Sequence, residues 1–144
     1  MQILRIVLSL LALALLASPA MAGVKAVIDK SSQQMQVWEG ETLLYTWPAG
    51  TGEKSSYTPT GTFHPYRFWA GKHYSSKYGS AMLDTVYYKG TRAVHGITDP
   101  VKLAKLGSVG VSKGCTVLHP EHAKIFFDLV QKYKMNQVTI VIQE

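Results

Sequence analysis

The stretch Gly110-Val111-Ser112-Lys113-Gly114-Cys115-Thr116-Val117-Leu118-His119-Pro120-Glu121-His122-Ala123 divides into a polar, glycine-bearing loop and the start of a helix. Pro120 suits a first helical position, where its missing N–H would have no partner anyway, and Glu121 follows where the helix dipole favours an acid. Ala123, Phe126, Phe127, Val130 and Tyr133 then recur at helical spacing and form one apolar face. Lys132 and Lys134 occupy the last turn, and Asn136 marks the stop. Such a helix buries its stripe only against another layer, so the question becomes what the rest of the chain supplies.

It supplies strands. Val24 to Asp29, Met35 to Glu39 and Thr42 to Trp47 are short β-type runs, with Glu39-Gly40-Glu41 as a turn, and together they read as a meander. Val138 to Ile142 closes the chain as a strand. Thr85 to Tyr88 and Arg92 to His95 read as a hairpin with Lys89-Gly90 at its turn. Thr62 to Trp69 reads as one more strand, edge or bulged because of Pro65. Gly71 to Met82 is polar, aromatic and irregular, and reads as a long excursion over a site. A second short helix is expected around Pro100 to Leu106. The expected fold is therefore mainly β, with one docked helix after the cysteine loop.

A length of 144 residues suits one domain. Hydrophobic residues at 47% and charged residues at 17% exclude disorder as the main state. The single cysteine excludes an internal disulfide and any zinc cage needing two thiolates. The formal charge of +6 is scattered, with no cluster of four or more basic residues, which argues against nucleic acid as a partner.

Residues 1–22 read as a secretory signal peptide. Arg5 is the positive start, Ile6 to Ala17 is an apolar run broken only by Ser9, and Ala20-Met21-Ala22 follows Ser18-Pro19 as a cleavage site. The apolar run is too short to span a bilayer as a helix. No cysteine lies near the cleavage point, so no lipoprotein anchor is expected. The expectation is an exported domain over residues 23–144, in the periplasm or cell envelope, with no stable membrane anchor after cleavage. Oligomeric state is not legible. Export makes an unpaired thiol unusual, because oxidising compartments favour paired cysteines.

Cys115 lies in a permissive setting, and His95-Gly96 ends a strand far from it in sequence. A thiol nucleophile needs a base, something to orient that base, and N–H donors for the developing oxyanion. His95 is the candidate base, the Gly96 carbonyl its orienting acceptor, and the N–H groups of Gly114 and Cys115 the oxyanion donors. Lys113 is a cation expected to favour the thiolate. The rival reading is a zinc site from Cys115, His119 and His122, with His95 as a fourth ligand.

These residues resemble the L,D-transpeptidase (YkuD-type) catalytic domain, whose pattern is His-Gly, a loop, then Ser-His-Gly-Cys. Here it stands as His95-Gly96 and Ser112-Lys113-Gly114-Cys115. Thr51-Gly52, Thr58-Pro59-Thr60-Gly61-Thr62-Phe63, His73-Tyr74-Ser75, Met82, the helix after the cysteine and the Val138-Thr139-Ile140 strand also match, so the likeness covers nearly all of Val24 to Ile142. It implies a β-sandwich or mixed-sheet fold with one helix after the nucleophile loop. It also implies an acyltransferase acting on peptidoglycan stem peptides. Cys115 would attack the carbonyl of the third residue of a donor tetrapeptide, a diamino acid, and D-Ala would leave. The thioester would then pass to a second stem, giving a 3→3 cross-link, or to a lipoprotein lysine or water. No metal, nucleotide or other cofactor is implied. Tyr57, Arg67, Trp69, His73, Tyr74 and Ser112 fall in segments expected to border the substrate. Two departures stand out: Lys113 replaces the family's His, and Val117 replaces its Arg, a loss that His119 or Arg92 would have to offset. They motivate a second rival, a non-catalytic peptidoglycan-binding module on the same scaffold.

Overall fold

The structure is a computed structural model that describes residues 23–144; the expected signal peptide lies outside the described residues. The described chain forms strands β1 (Val24–Asp29), β2 (Gln34–Glu39), β3 (Thr42–Pro48), β4 (Gly61–Phe63), β5 (Arg67–Tyr74), β6 (Ala81–Lys89) and β7 (Arg92–Gly96), then the short helix α1 (Pro100–Leu103). Strand β8 (Thr116–Leu118), helix α2 (Pro120–Gln131) and strand β9 (Val138–Gln143) follow. One sheet has the order β3-β2-β1-β9-β4 and the other β5-β6-β7-β8. Each is mixed, with β1–β9 and β7–β8 the parallel pairs.

Alternation explains the first sheet. Val24, Ala26 and Ile28 of β1 and Val138, Ile140 and Ile142 of β9 are all buried, and the parallel register sets Ala26 beside Ile140. From the second sheet, Val86 and Tyr88 of β6, Val94 of β7 and Leu118 of β8 join the same core. Ala123, Phe126, Phe127, Leu129 and Val130 of α2 complete it, as helical periodicity requires. Phe126 is 1% exposed at the centre of this face. Phe126→Ala is expected to cost about 3–5 kcal/mol, read as a lower urea midpoint at unchanged slope.

The meander, the hairpin and both helices form, but α1 ends at Leu103 rather than Leu106, and α2 ends at Gln131, before Lys134 and the expected stop at Asn136. Two expectations are corrected. Thr62 to Trp69 is not one strand: β4 pairs with β9, and β5 pairs with β6 in the other sheet. Pro65 fixes φ and lacks an N–H, so the ladder stops there and the chain crosses between sheets. The excursion from Gly71 to Met82 is mostly hairpin, because Lys72-His73-Tyr74 pairs with Leu83-Met82-Ala81 beyond a register shift after Trp69. Only Ser75 to Ser80 is a turn, closed by Ser75 N–H donating to Ser80 O at 2.8 Å. Strand β8 escaped the sequence reading because it is three residues long and buried on both faces, so it shows no alternation.

Candidate active site

Parallel pairing of β7 with β8 brings the two chemistry-bearing segments together. Val94 lies beside Thr116 and His95 beside Val117. Stepping the same register back one residue sets Cys115 next to Ala93, and Cys115 packs against Met82, Tyr87 and Ala93. Ala93 and His95 are two apart on one strand, so Cys115 and His95 lie on the same face of the sheet, opposite α2. Both line a cavity of about 370 Å³.

His95 is 5% exposed, and its Nδ1 lies 2.8 Å from Gly96 O. A carbonyl only accepts, so Nδ1 carries the proton and Nε2 keeps its lone pair. Burial pushes the imidazole pKa down to about 4, against the opposing pull of the Gly96 hydrogen bond and with help from His73 and Lys102. Glycine at position 96 lets α2 pack closely: a Cβ there would lie 3.0 Å from Ala123 Cβ and 3.2 Å from Pro120 Cα of α2.

The half-buried Cys115 sulfur is 3.7 Å from Thr91 O. Burial pushes its pKa up, while the Ala93 backbone and the Arg92 guanidinium pull it down. The expected effect of Lys113 is not seen. Its Nζ turns outward to Glu53, 3.1 Å away, because a long exposed side chain on the loop reaches an acid more readily than the sulfur behind it. Arg92 is the cation that acts on the thiol.

Gly114 takes φ +144°, a region L side chains rarely adopt. Its N–H donates to Ser112 Oγ at 3.1 Å, and that hydroxyl donates to Cys115 O at 2.6 Å. The Gly114 N–H is thus engaged by the Ser112 hydroxyl in the absence of substrate. The Cys115 N–H has no hydrogen-bond partner among the described residues. Thr58 Oγ1 accepts from Gly52 N–H and donates to Gly114 O, both at 2.9 Å. This gives a physical role to the Thr51-Gly52 and Thr58 stretches: they brace the cysteine loop.

Of the six residues expected to border substrate, only Ser112 lines the cavity. Tyr57 contributes its backbone, accepting from Arg92 Nε at 2.9 Å. Arg67 lies over the Tyr87 ring at 4.2 Å. Trp69 stacks on His73 at 4.7 Å, and His73 Nε2 is 2.8 Å from Tyr87 OH. The antiparallel register sets Arg67 opposite Tyr87 and His73 opposite Met82, so both share the sheet face of the site without lining the cavity, and Tyr74 is 61% exposed. The wall is built instead by Lys77 and Tyr78 at the hairpin tip, Met82, Arg92, Lys102 of α1 and Val111. The polar tip of the Gly71 to Met82 segment was the available signal for Lys77 and Tyr78; nothing local marked Lys102.

The zinc arrangement does not form. His119 Nδ1 accepts from Glu121 N–H, and His122 stacks on Trp47 at 4.8 Å. Helix α2 begins at Pro120, and both imidazoles are held there away from the cavity. Among the described residues no three His, Cys, Asp or Glu side chains converge.

The fold is shared with solved enzymes. An L,D-transpeptidase from Mycobacterium smegmatis superposes with a TM-score of 0.73 at 24% identity, covering 85% of this chain and 59% of that one. One from Mycobacterium tuberculosis H37Rv gives 0.71 at 23%, covering 85% and 58%. L,D-transpeptidase 3 from Mycobacterium tuberculosis, in complex with a faropenem-derived adduct, gives 0.70 at 21%, covering 85% and 61%. The chain thus spans about three fifths of the length of these relatives. No curated protein sequence matches it. The family model for the L,D-transpeptidase catalytic domain (YkuD) matches residues 23–142, from the first described residue through β9 and across both halves of the cavity, and the chain belongs to that family.

Proposed function

We propose that the protein is an exported cysteine acyltransferase acting on peptidoglycan stem peptides. Cys115 Sγ bonds to the carbonyl carbon of the diamino acid in a donor tetrapeptide. The amide bond to D-Ala breaks, and the thiol proton passes through His95 Nε2 to the leaving amine. A second stem's amine then attacks the thioester, gives its proton back through His95, and frees the thiol. The Cys115 N–H is the donor for the oxyanion formed in each half. Gly96 O holds the imidazole in the tautomer this requires.

One observation carries the reading: a thiol and a neutral imidazole of fixed tautomer line one cavity on one face of the sheet. The faropenem-derived adduct of a structural neighbour suggests the probe. Purified protein incubated with faropenem is expected to gain one covalent adduct by intact-mass spectrometry, and Cys115→Ala none. A tetrapeptide donor is expected to release D-Ala only with the parent protein. A parent protein that stays unmodified by both would favour the binding-module reading.

A further inference from the structure

The cavity wall is charged on one side of the ledger only. Lys77, Arg92, Lys102 and Lys113 line it, and no Asp or Glu does. Lys113 is already paired with Glu53. Among the described residues the other three form no salt bridge. Lys77 is exposed at the hairpin tip, where solvent compensates it. Lys102 and Arg92 are half-buried, and that changes the energetics. A cation drawn out of water without a counter-charge is costly, and the cost is relieved when an anion arrives.

Neither cation is paired with an acid among the described residues. Asp99, the nearest acid in sequence to Lys102, is turned to the start of α1, where Oδ1 accepts from Val101 N–H at 2.9 Å and Lys102 N–H at 3.3 Å. Arg92 spends Nε on Tyr57 O, which fixes the guanidinium plane and leaves its terminal nitrogens for a ligand. Both line the cavity that holds the reacting pair. Arg92 opens β7 and its charge acts on the Cys115 thiol, while Lys102 comes from α1 and its charge acts on the His95 imidazole. Met82, Ile97, Val111 and Val117 supply the apolar part of the lining.

Resting on the acyl-transfer reading of this pair, the geometry points to a carboxylate subsite: Lys102, with Arg92 in the wall of the same cavity, holds the terminal carboxylate of the donor peptide. A free chain end is thereby held one residue beyond the attacked carbonyl. The subsite makes the donor a peptide acid, and a donor capped or extended at that end loses its anchor. It also places a cation in the cavity by a route independent of the arginine that Val117 replaces.

The test is binding to the Cys115→Ala protein, which separates recognition from chemistry. A stem tetrapeptide ending in a free carboxylate and the same peptide ending in a carboxamide are titrated by calorimetry. The acid is expected to bind about tenfold more tightly. Lys102→Met is expected to remove that preference, weakening the acid and leaving the amide unchanged, while Lys102→Arg keeps most of it. Lys105→Met, an exposed lysine outside the cavity, is expected to keep all of it. Equal affinity for acid and amide, no affinity for either, or a Lys102→Met protein that still prefers the acid each overturns the subsite. Faropenem acylation of the parent protein is scored in parallel. Adduct formation alongside any of those three results removes the subsite and leaves the nucleophile standing. A clear acid preference without an adduct does the reverse.

Discussion

His95→Ala is expected to slow acylation of Cys115 by about a thousandfold while leaving the fold in place. The size of the effect follows from the charge state of the pair. Burial raises the Cys115 pKa and lowers that of His95, so both partners are neutral at pH 7. A preformed thiolate would attack unaided, but a protonated thiol must lose its proton as it attacks, and the imidazole is the group placed to take it. General-base assistance of this kind is worth roughly 10²–10⁴-fold. Stopped-flow acylation with faropenem measures it directly. A His95→Ala rate within tenfold of the parent would mean that the proton leaves by another route.

The same pair sets a pH signature. A free histidine switches near pH 6.5, but His95 with a pKa of about 4 remains a competent base well below that. The acylation rate of the parent is therefore expected to stay level from about pH 7 to pH 5 and to fall only as pH approaches 4. Stability does not stay level over that window. Between about pH 6.5 and 4 the unfolded chain protonates this histidine and the folded one does not, so acidification favours unfolding, by roughly 3 kcal/mol once both values are passed.

How much of this was legible in the sequence depends on what each residue's role requires. Strands β1, β2, β3 and β9 and helix α2 announce themselves because each presents one face to the core, and a period of 2 or 3.6 survives in the residue order. Cys115, His95 and Gly96 were legible as candidates because chemistry restricts them to few residue types. Side-chain direction was not. Trp69, His73 and Tyr74 lie on the strand next to the site, yet Trp69 and His73 stack on each other and His73 bonds Tyr87, so none of the three lines the cavity. Tyr57 matters through its carbonyl, which any residue has. Lys102 enters the cavity because α1 packs where it does, a tertiary fact with no local trace. A glycine before a nucleophilic cysteine marks its N–H as a candidate oxyanion donor, but the bond that N–H makes to the Ser112 hydroxyl has no trace in the residue order.

Gly110→Ala is expected to destabilise the protein by about 3 kcal/mol or more and to abolish acylation of what remains folded, although residue 110 touches neither Cys115 nor His95 in the wall of the cavity. The reason lies in how the nucleophile loop is held. Val111 N–H and Ser112 N–H both donate to Thr51 O, at 2.8 and 3.1 Å, and Glu53 N–H donates back to Ser112 O at 2.9 Å. Gly50 and Val117 exchange a further pair of bonds at 2.9 and 2.8 Å. The 50–53 segment is in turn fixed to the first sheet's side of the molecule by Gln33, whose amide bonds Thr51 at both its hydroxyl and its N–H. Two backbones zipped this closely leave no room for a side chain between them: a Cβ on Gly110 would stand 2.1 Å from Gly52 O and 2.7 Å from Gly52 C. Both clashing atoms are backbone, so no rotamer change relieves the contact, and one strand of the zipper must move. Moving it carries Ser112, and with it the hydroxyl that shapes the turn at Cys115. The matched control is Gly40→Ala. That glycine has φ +57° and nothing within 4 Å of the new methyl, so it carries only the conformational cost of about 1–2 kcal/mol and is expected to keep full acylation. Urea unfolding and adduct formation, measured on both variants, separate a loop held by close backbone approach from one merely tolerant of glycine. Equal losses of stability and unchanged acylation in the two would show that the 50–53 segment does not position the nucleophile.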